Sequence, residues 1–243
     1  MKAIILAGGF AKRLWPLTKN KPKPLLEVGS KPIIQHVLDK LKDTDVNEIF
    51  ISTNSKFEEQ FKNFINNYKT DKTIKLIIEP TSSEGEKLGS IGGLNYLINK
   101  EAIDEDVLII GGDNIFEFEI NDLLNSYKER ETSVIAVHDI NDKELAKDYG
   151  IVDIDDNQKI IDFEEKPENP KTTLASTAIY IYPARVIKQV KDYLNEGNCP
   201  DKAGNFIKWL YEKEEVFAFV FKEKWFDIGC FKGLDEAKEY YKK

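Results

Sequence analysis

Four short stretches carry residue types suited to phosphate and metal chemistry. The first, LAGGFAKRLWPLTKNKPKPLL at residues 6–26, follows an apolar run and places two glycines ahead of five basic residues between Lys12 and Lys23. Glycines at that point let backbone N–H groups approach a phosphate or a base closely. Arg13 can fork onto terminal phosphates, and Lys23, set between Pro22 and Pro24, presents a point charge on a stiff backbone. Neither GxxxxGK[ST] nor GxGxxG is present, which excludes a Walker loop and the dinucleotide fingerprint. The same run also reads as a solvated lysine-rich loop.

The second stretch is LIIGGDN, an apolar strand that ends in glycines and Asp113. Ligands of open α/β sheets sit beyond the carboxyl ends of strands. A carboxylate there suits Mg²⁺, and equally an Asx-turn or a helix cap. The third, FEEKP, offers Lys166 for a second anion and Glu165 for hydroxyl groups, or forms a solvated charge run. The fourth, KWFDIG, sets Asp227 beside two aromatics. A partly buried carboxylate needs a partner, either Mg²⁺ or the hydrogen bonds of a structural turn. Glu79, just before Pro80, can accept from a base N–H or face water at a strand end.

Composition narrows the partners. The 243 residues are 41% apolar and 32% charged, with formal net charge −8. That balance fits a globular chain and argues against wholesale binding to nucleic acid or an anionic membrane. No apolar run approaches the ~18 residues of a bilayer span, and MKAIILAGG is too short for a signal peptide. A cytoplasmic location is expected. Cys199 and Cys230 are isolated and read as free buried thiols. With only His36 and His138, a histidine-rich metal site or a histidine-centred triad is not expected.

These residues must be held by regular elements. KAIIL, EIFIST, IKLIIEP, DVLIIGGD and TSVIAVHD read as strands. Between them, KPIIQHVLDKLKD, FEEQFKNFINNYK, GSIGGLNYLINK and INDLLNSYKER carry apolar residues at helical spacing. This βαβα alternation predicts an α/β fold with a Rossmann-like, mostly parallel central sheet flanked by helices. After residue 148 the pattern changes to two strands around a turn at 155–158, another strand at TLASTAIYIYP, two helices, a strand-like EVFAFVFKEKWFDIG and an end helix over 231–243. One domain, 1–243, is expected, with a first half at 1–148 and a second half at 149–243 that contributes an added β lobe.

The order of LAGGFAKRLWPLT, KPKPLLEVGSKPII, LGSIGGL, GGDN, YGIVDID, EEKP and WFDIG resembles the sugar nucleotidyltransferases over nearly the whole chain. The resemblance implies a GT-A-like nucleotidyltransferase fold and transfer of a nucleotidyl group from a nucleoside triphosphate to a sugar 1-phosphate, with release of pyrophosphate. It implies that the backbone of Ala7, Gly8 and Gly9 meets the base and ribose, with Gly89 near the base. Arg13 and Lys23 match the basic residues at the triphosphate and reacting phosphates. Asp113 and Asp227 match the two carboxylates that hold Mg²⁺. Lys166 matches the sugar-phosphate lysine, Glu165 the carboxylate that reads sugar hydroxyls, and Gly150 a glycine lining the sugar pocket. The first half is then nucleotide-binding and the second sugar-binding.

The expected substrates are dTTP or UTP with glucose 1-phosphate. The alternatives are a cytidylyltransferase for a non-sugar phosphate and a non-catalytic regulatory relative. Homo-oligomers are common in the family, so a dimer or tetramer is expected. Ala11 and Lys12 stand where a glycine and then Thr or Ser are usual, and Ala178 stands where sugar-pocket relatives often have glycine. The single helix after WFDIG leaves no room for the β-helix of bifunctional relatives, so acetyl transfer is not expected.

Overall fold

The apolar run after Met1 forms strand β1, Lys2–Leu6, with Ala3 and Ile5 in one core and Ile4 in another. That two-residue period with both faces covered marks a central strand. The computed structural model describes residues 1–242. Two 3₁₀ turns, Lys12–Leu14 and Lys23–Leu25, lead to a short ribbon of β2, Glu27–Val28, and β3, Lys31–Pro32. Then α1 (Ile33–Leu41), β4 (Glu48–Asn54), α2 (Glu58–Asn67), β5 (Thr73–Glu79), α3 (Ser90–Glu101) and β6 (Val107–Gly111) alternate as expected. They are followed by β7 (Asn114–Phe116), α4 (Ile120–Arg130), β8 (Ser133–Asp139) and the short α5 (Lys143–Ala146). The second half adds β9 (Gly150–Ile154), β10 (Ile160–Glu165), β11 (Leu174–Tyr182), α6 (Ala184–Asn195) and α7 (Ala203–Tyr211). It closes with β12 (Val216–Phe221), β13 (Trp225–Asp227) and α8 (Phe231–Tyr240). Lys243, in the end helix expected from sequence, lies outside the described residues.

β5, β4, β1 and β6 lie side by side and parallel, and β12 and β8 form a second parallel pair. β11 runs antiparallel between β6 and β8. The sheet is thus mostly parallel, with β11 and the edge strand β10 reversed. Helices α1, α2 and α4 pack their apolar stripes on one face, through Val37, Phe61 and Leu123. On the other face α3, α6 and α7 bury Leu94, Val190 and Phe206. A separate cluster, including Leu14, Val28, Ile228 and Leu234, ties α8 to the first loop and the β2–β3 ribbon.

The second half is woven into this sheet more deeply than the expected added lobe. β11 pairs with β6 over Ile179–Tyr182 and touches β9 at Ala175. Its register against β8 shifts between Ser176 and Tyr180, where Ala178 takes φ +58°. The β9–β10 hairpin, backed by α7, continues the sheet beyond β11, and β8 and β12 branch from β11. The strand expected over 215–229 is two strands, because the polar run Lys222–Glu223–Lys224 is exposed and breaks it. β13 instead pairs with β7. The two cysteines are free as expected, but both are exposed rather than buried: Cys230 sits at the start of α8, and Cys199 in the α6–α7 loop.

Candidate active site

The first loop leaves β1 and is clamped at the ends of β4 and β6. Ala7 N–H donates to the Ser52 carbonyl at 2.8 Å, and Gly112 N–H donates to that of Leu6 at 2.9 Å. Thr53 Oγ1 and Asn54 Nδ2 donate to the carbonyls of Ala7 and Gly8 at 3.2 and 3.0 Å. Ala7 is buried, whereas a Cβ built on Gly9 would meet nothing within 4 Å. Ala11 adopts a left-handed conformation (φ 47°, ψ 47°), and Thr18 Oγ1 donates to its carbonyl at 2.7 Å. This geometry costs an alanine about 1 kcal/mol relative to the usual helical region. Arg13 follows in the exposed turn.

Buried Pro24 and Leu25 anchor the second turn, and Lys23 Nζ donates to Asp113 Oδ2 at 2.5 Å. Asp113 is oriented further by Asn114, whose Nδ2 donates to Asp113 Oδ1 at 3.0 Å. Trp225 Nε1 in turn donates to Asn114 Oδ1 at 2.7 Å. Antiparallel pairing of β7 with β13 sets Asp227 opposite Asn114, and Ile228 N–H donates to the Asp113 carbonyl at 3.1 Å. The two carboxylates therefore lie on adjoining strand ends. Burial, and then the charge of Asp113, push the half-buried Asp227 carboxyl up to about 6, while Lys23, Lys166 and Arg13 pull it down. All four charges act on Asp227, although 214 positions separate Arg13 from Asp227 in the chain.

Among the described residues no cluster of three or more His, Cys, Asp or Glu side chains is arranged to hold a metal. The Asp113–Asp227 pair still fits Mg²⁺. Two hard oxygen donors that repel one another would be relieved by a divalent cation, and Mg²⁺ ordinarily takes one or two carboxylates plus substrate phosphates and water.

Arg13, Lys166 and Asp227 line one cleft of about 370 Å³, together with Tyr149, Trp225 and Cys230. A larger groove, about 640 Å³, runs along α1 and α2; Lys21 and Leu25 of the first stretch line it, but no residue given a site role from sequence does. Lys166 leaves β10 with φ +53°, its N–H bonded to the Tyr149 carbonyl at 3.0 Å. A non-glycine residue held there is the kind of local strain that accumulates at functional sites. Glu165 is half-buried, and burial raises its carboxyl against the pull of Lys202 and Lys166. Its Oε2 would lie 3.2 Å from a Cβ on Gly150 and 2.1 Å from one on Gly204.

Glu79 sits apart from that cleft. It is 5% exposed, accepts from Ser52 Oγ at 2.8 Å, and lies beside Gly8 and Gly93. Gly89 (φ +79°) packs against the backbone of Pro200 and Asp201, where a Cβ would come within 2.5 Å. Sequence reasoning passed over Tyr149, Asn114, Trp225 and Gly204. Asn114 directly follows GGD and Trp225 stands in WFD, so both lay inside stretches already singled out. Gly204 carried no signal beyond a glycine near a helix start.

A cleft lined by Arg13, Lys166 and Asp227 at the strand ends of an α/β sheet carries the charges that phosphate transfer uses. The Nucleotidyl transferase family model matches residues 2–243. The chain is 32% identical over 240 residues to the bifunctional protein GlmU of Methanocaldococcus jannaschii, covering 99% of this chain and 54% of that protein. For GlmU of Methanococcus aeolicus the values are 30% over 229 residues, 94% and 51%. The chain thus spans about half the length of the curated relatives it matches. A Bacillus anthracis protein assigned as a glucose-1-phosphate thymidylyltransferase, solved with a sucrose, superposes with TM-score 0.87 at 26% identity, covering 100% of this chain and 95% of that one. A UTP-bound UGPase from Acinetobacter baumannii shares the fold with TM-score 0.80 at 20% identity, covering 99% and 92%. This chain belongs to the nucleotidyl transferase family, among the sugar nucleotidyltransferases.

Proposed function

We propose that the protein transfers a nucleotidyl group from a nucleoside triphosphate to a sugar 1-phosphate, releasing pyrophosphate, with Mg²⁺ as cofactor. The observation that carries this reading is the convergence of Arg13, Lys23 and Lys166 on the Asp113–Asp227 pair. dTTP or UTP with glucose 1-phosphate are the favoured substrates, in line with the names of the structural relatives. In this reading residues 1–148 bind the nucleotide and 149–243 bind the sugar phosphate, as one catalytic domain.

The chemistry requires little from side-chain acids and bases. The attacking sugar-phosphate oxygen is already ionised near neutral pH, because a phosphate's second pKa is about 6. It forms a bond to the α-phosphorus as the bond from that phosphorus to the bridging oxygen breaks, and pyrophosphate departs with the electron pair. No general base is needed, consistent with two histidines in the whole chain. The protein's work is to bring two polyanions together in line and to offset their charge. Lys166 would hold the acceptor phosphate, Arg13 the departing phosphates, and Lys23 the reacting phosphoryl group once it leaves Asp113. Glu165, between Gly150 and Gly204, would accept from sugar hydroxyls. Mg²⁺ held by Asp113 and Asp227 would neutralise charge on the α-phosphate and the leaving group.

The test is pyrophosphate release with Mg²⁺, crossing dTTP, UTP, CTP, GTP and ATP with glucose, mannose, galactose, glucosamine and N-acetylglucosamine 1-phosphates. Sugar-dependent release that is absent from Lys23→Ala supports the reading. Silence across the matrix from folded, nucleotide-binding protein rejects it.

A further inference from the structure

Trp225 stands between the two halves of the site without being one of its charges. Pairing of β13 with β7 sets Trp225 against Phe116 and Asp227 against Asn114. Alternation along β13 turns residues 225 and 227 to the same side of that ribbon. The indole is half-buried and packs on two apolar clusters at once. One is the core that holds Val37, Phe61 and Leu123; the other is Ala146, Ile151 and Ala175, at the start of the β9–β10 hairpin.

The polar edge of the indole fixes one amide. Trp225 Nε1 donates to Asn114 Oδ1 at 2.7 Å. Asn114 Nδ2 donates to Asp113 Oδ1 at 3.0 Å and to the Gly111 carbonyl at 3.3 Å. An indole N–H can only donate, whereas an ionised carboxylate and a peptide carbonyl can only accept. Turning the amide over would set its oxygen against both acceptors and its N–H against the indole N–H. One orientation therefore satisfies all three partners. Asn114 is 2% exposed, so water offers no substitute for a lost partner. A Cβ on Gly111 would lie 2.7 Å from Asn114 Nδ2, so the space for this amide depends on a glycine. With Lys23 on Oδ2, both oxygens of Asp113 are held.

The apolar face of the indole reaches the other half. The Trp225 and Tyr149 rings lie 5.3 Å apart between centroids, inclined at 59°. The Tyr149 carbonyl accepts from Lys166 N–H at 3.0 Å, at the residue where the chain takes φ +53°. We infer that Trp225 is a positioning residue for both reacting groups: its N–H sets Asp113 through Asn114, and its ring sets Lys166 through Tyr149. This rests on the nucleotidyl-transfer reading, in which Asp113 meets the metal and Lys166 the acceptor phosphate. Neighbours that orient a metal ligand govern affinity for the metal by about 10–100-fold. The indole stands one hydrogen bond further out, so the lower end of that range, about tenfold, is expected.

Two substitutions separate the two tasks. Trp225→Phe keeps a ring against Tyr149 and removes the N–H; Trp225→Leu removes both. Mn²⁺ titrated into nucleotide-free protein, followed by the electron paramagnetic resonance of the free ion, reads the first task apart from turnover. Its Kd is expected to rise about tenfold in both variants. Asn114→Ala should raise Kd at least as much, and adding Trp225→Phe to it should raise Kd no further, because the indole acts through the amide. If Asn114→Ala does not fold, Trp225→Phe decides the first task alone. KM for the sugar 1-phosphate should stay within about twofold of wild type in Trp225→Phe and rise about tenfold in Trp225→Leu. A Mn²⁺ Kd unmoved by Trp225→Phe, additive effects in the double variant, or no Mn²⁺ binding by the wild type overturns the hold on Asp113. An acceptor KM unmoved by Trp225→Leu overturns the hold on Lys166. Weaker Mn²⁺ binding by Trp225→Phe in a protein that turns over no sugar phosphate would reject the transfer reading and leave the hold on Asp113 standing.

Discussion

Lys23 and Asp113 are 90 positions apart in the chain and 2.5 Å apart in space, each on the turn that follows a buried strand or prolyl anchor. The contact joins the first loop to the end of β6. It is only part of the site's electrostatics, because Asp113 also faces Asp227. A phosphate arriving at Lys23 would exchange one anionic partner for another, so the lysine is held in place before substrate binds.

Removing that lysine should therefore spare the fold and damage the reaction. Lys23→Ala is expected to lower kcat by about 10²–10³-fold, the scale seen when one charge-stabilising group is lost. Circular dichroism should be unchanged. Wild-type turnover in this variant would remove Lys23 from the chemistry.

At Asp227 stability and function pull in opposite directions. Its carboxyl is raised from 3.8 to about 6, so the folded state holds its proton more tightly than the unfolded chain does. Stability then falls as pH climbs through that interval and stays lower above it, by about 3 kcal/mol at most. Asp227→Asn should raise Tm by about 4 °C at pH 7.5 and have little effect at pH 4. The same variant should lose activity and lose the Tm gain that MgCl₂ gives the wild type. An unchanged response to MgCl₂ would exclude Asp227 as a ligand.

Gly204 should matter for the acceptor only. A methyl group there would lie 2.1 Å from Glu165 Oε2 and 2.9 Å from the Phe163 ring. Gly204→Ala is expected to destabilise by about 1–3 kcal/mol through overpacking. Steady-state kinetics should show KM for the sugar 1-phosphate rising about tenfold with KM for the nucleotide unmoved. Equal changes in both would mean that Gly204 serves only the core.

The first loop carries strain that one substitution can release. Ala11→Gly removes the left-handed penalty at φ 47° and should raise stability by about 0.5–1 kcal/mol, read as a Tm increase of about 2 °C. A fall in Tm would mean that the Cβ of Ala11 contributes packing worth more than the strain.

Much of this site was legible because glycines and charges cluster at strand ends. Ala7–Gly9, Arg13, Lys23, Asp113, Lys166 and Asp227 all lay in such stretches. What escaped depended on distant pairing. Trp225 reaches Asn114 across 111 positions only because β13 leaves the main sheet to join β7. Nothing in the run EVFAFVFKEKWFDIG separates the two strands except three exposed charged residues. The reversed direction of β11 was equally hidden. A strand buried on both faces reads as an apolar run whichever way it points.

β11 also works as a gauge. Its last residues are fixed to β6, which ends two residues before Asp113, and its first residues border β9, which leads through β10 to Lys166. The distance between those two groups is thus set by the bend at Ala178 within a single strand, and not by the reach of loops. Acceptors of different length would call for a different bend, so residues 176–180 are where a redesign of spacing should begin.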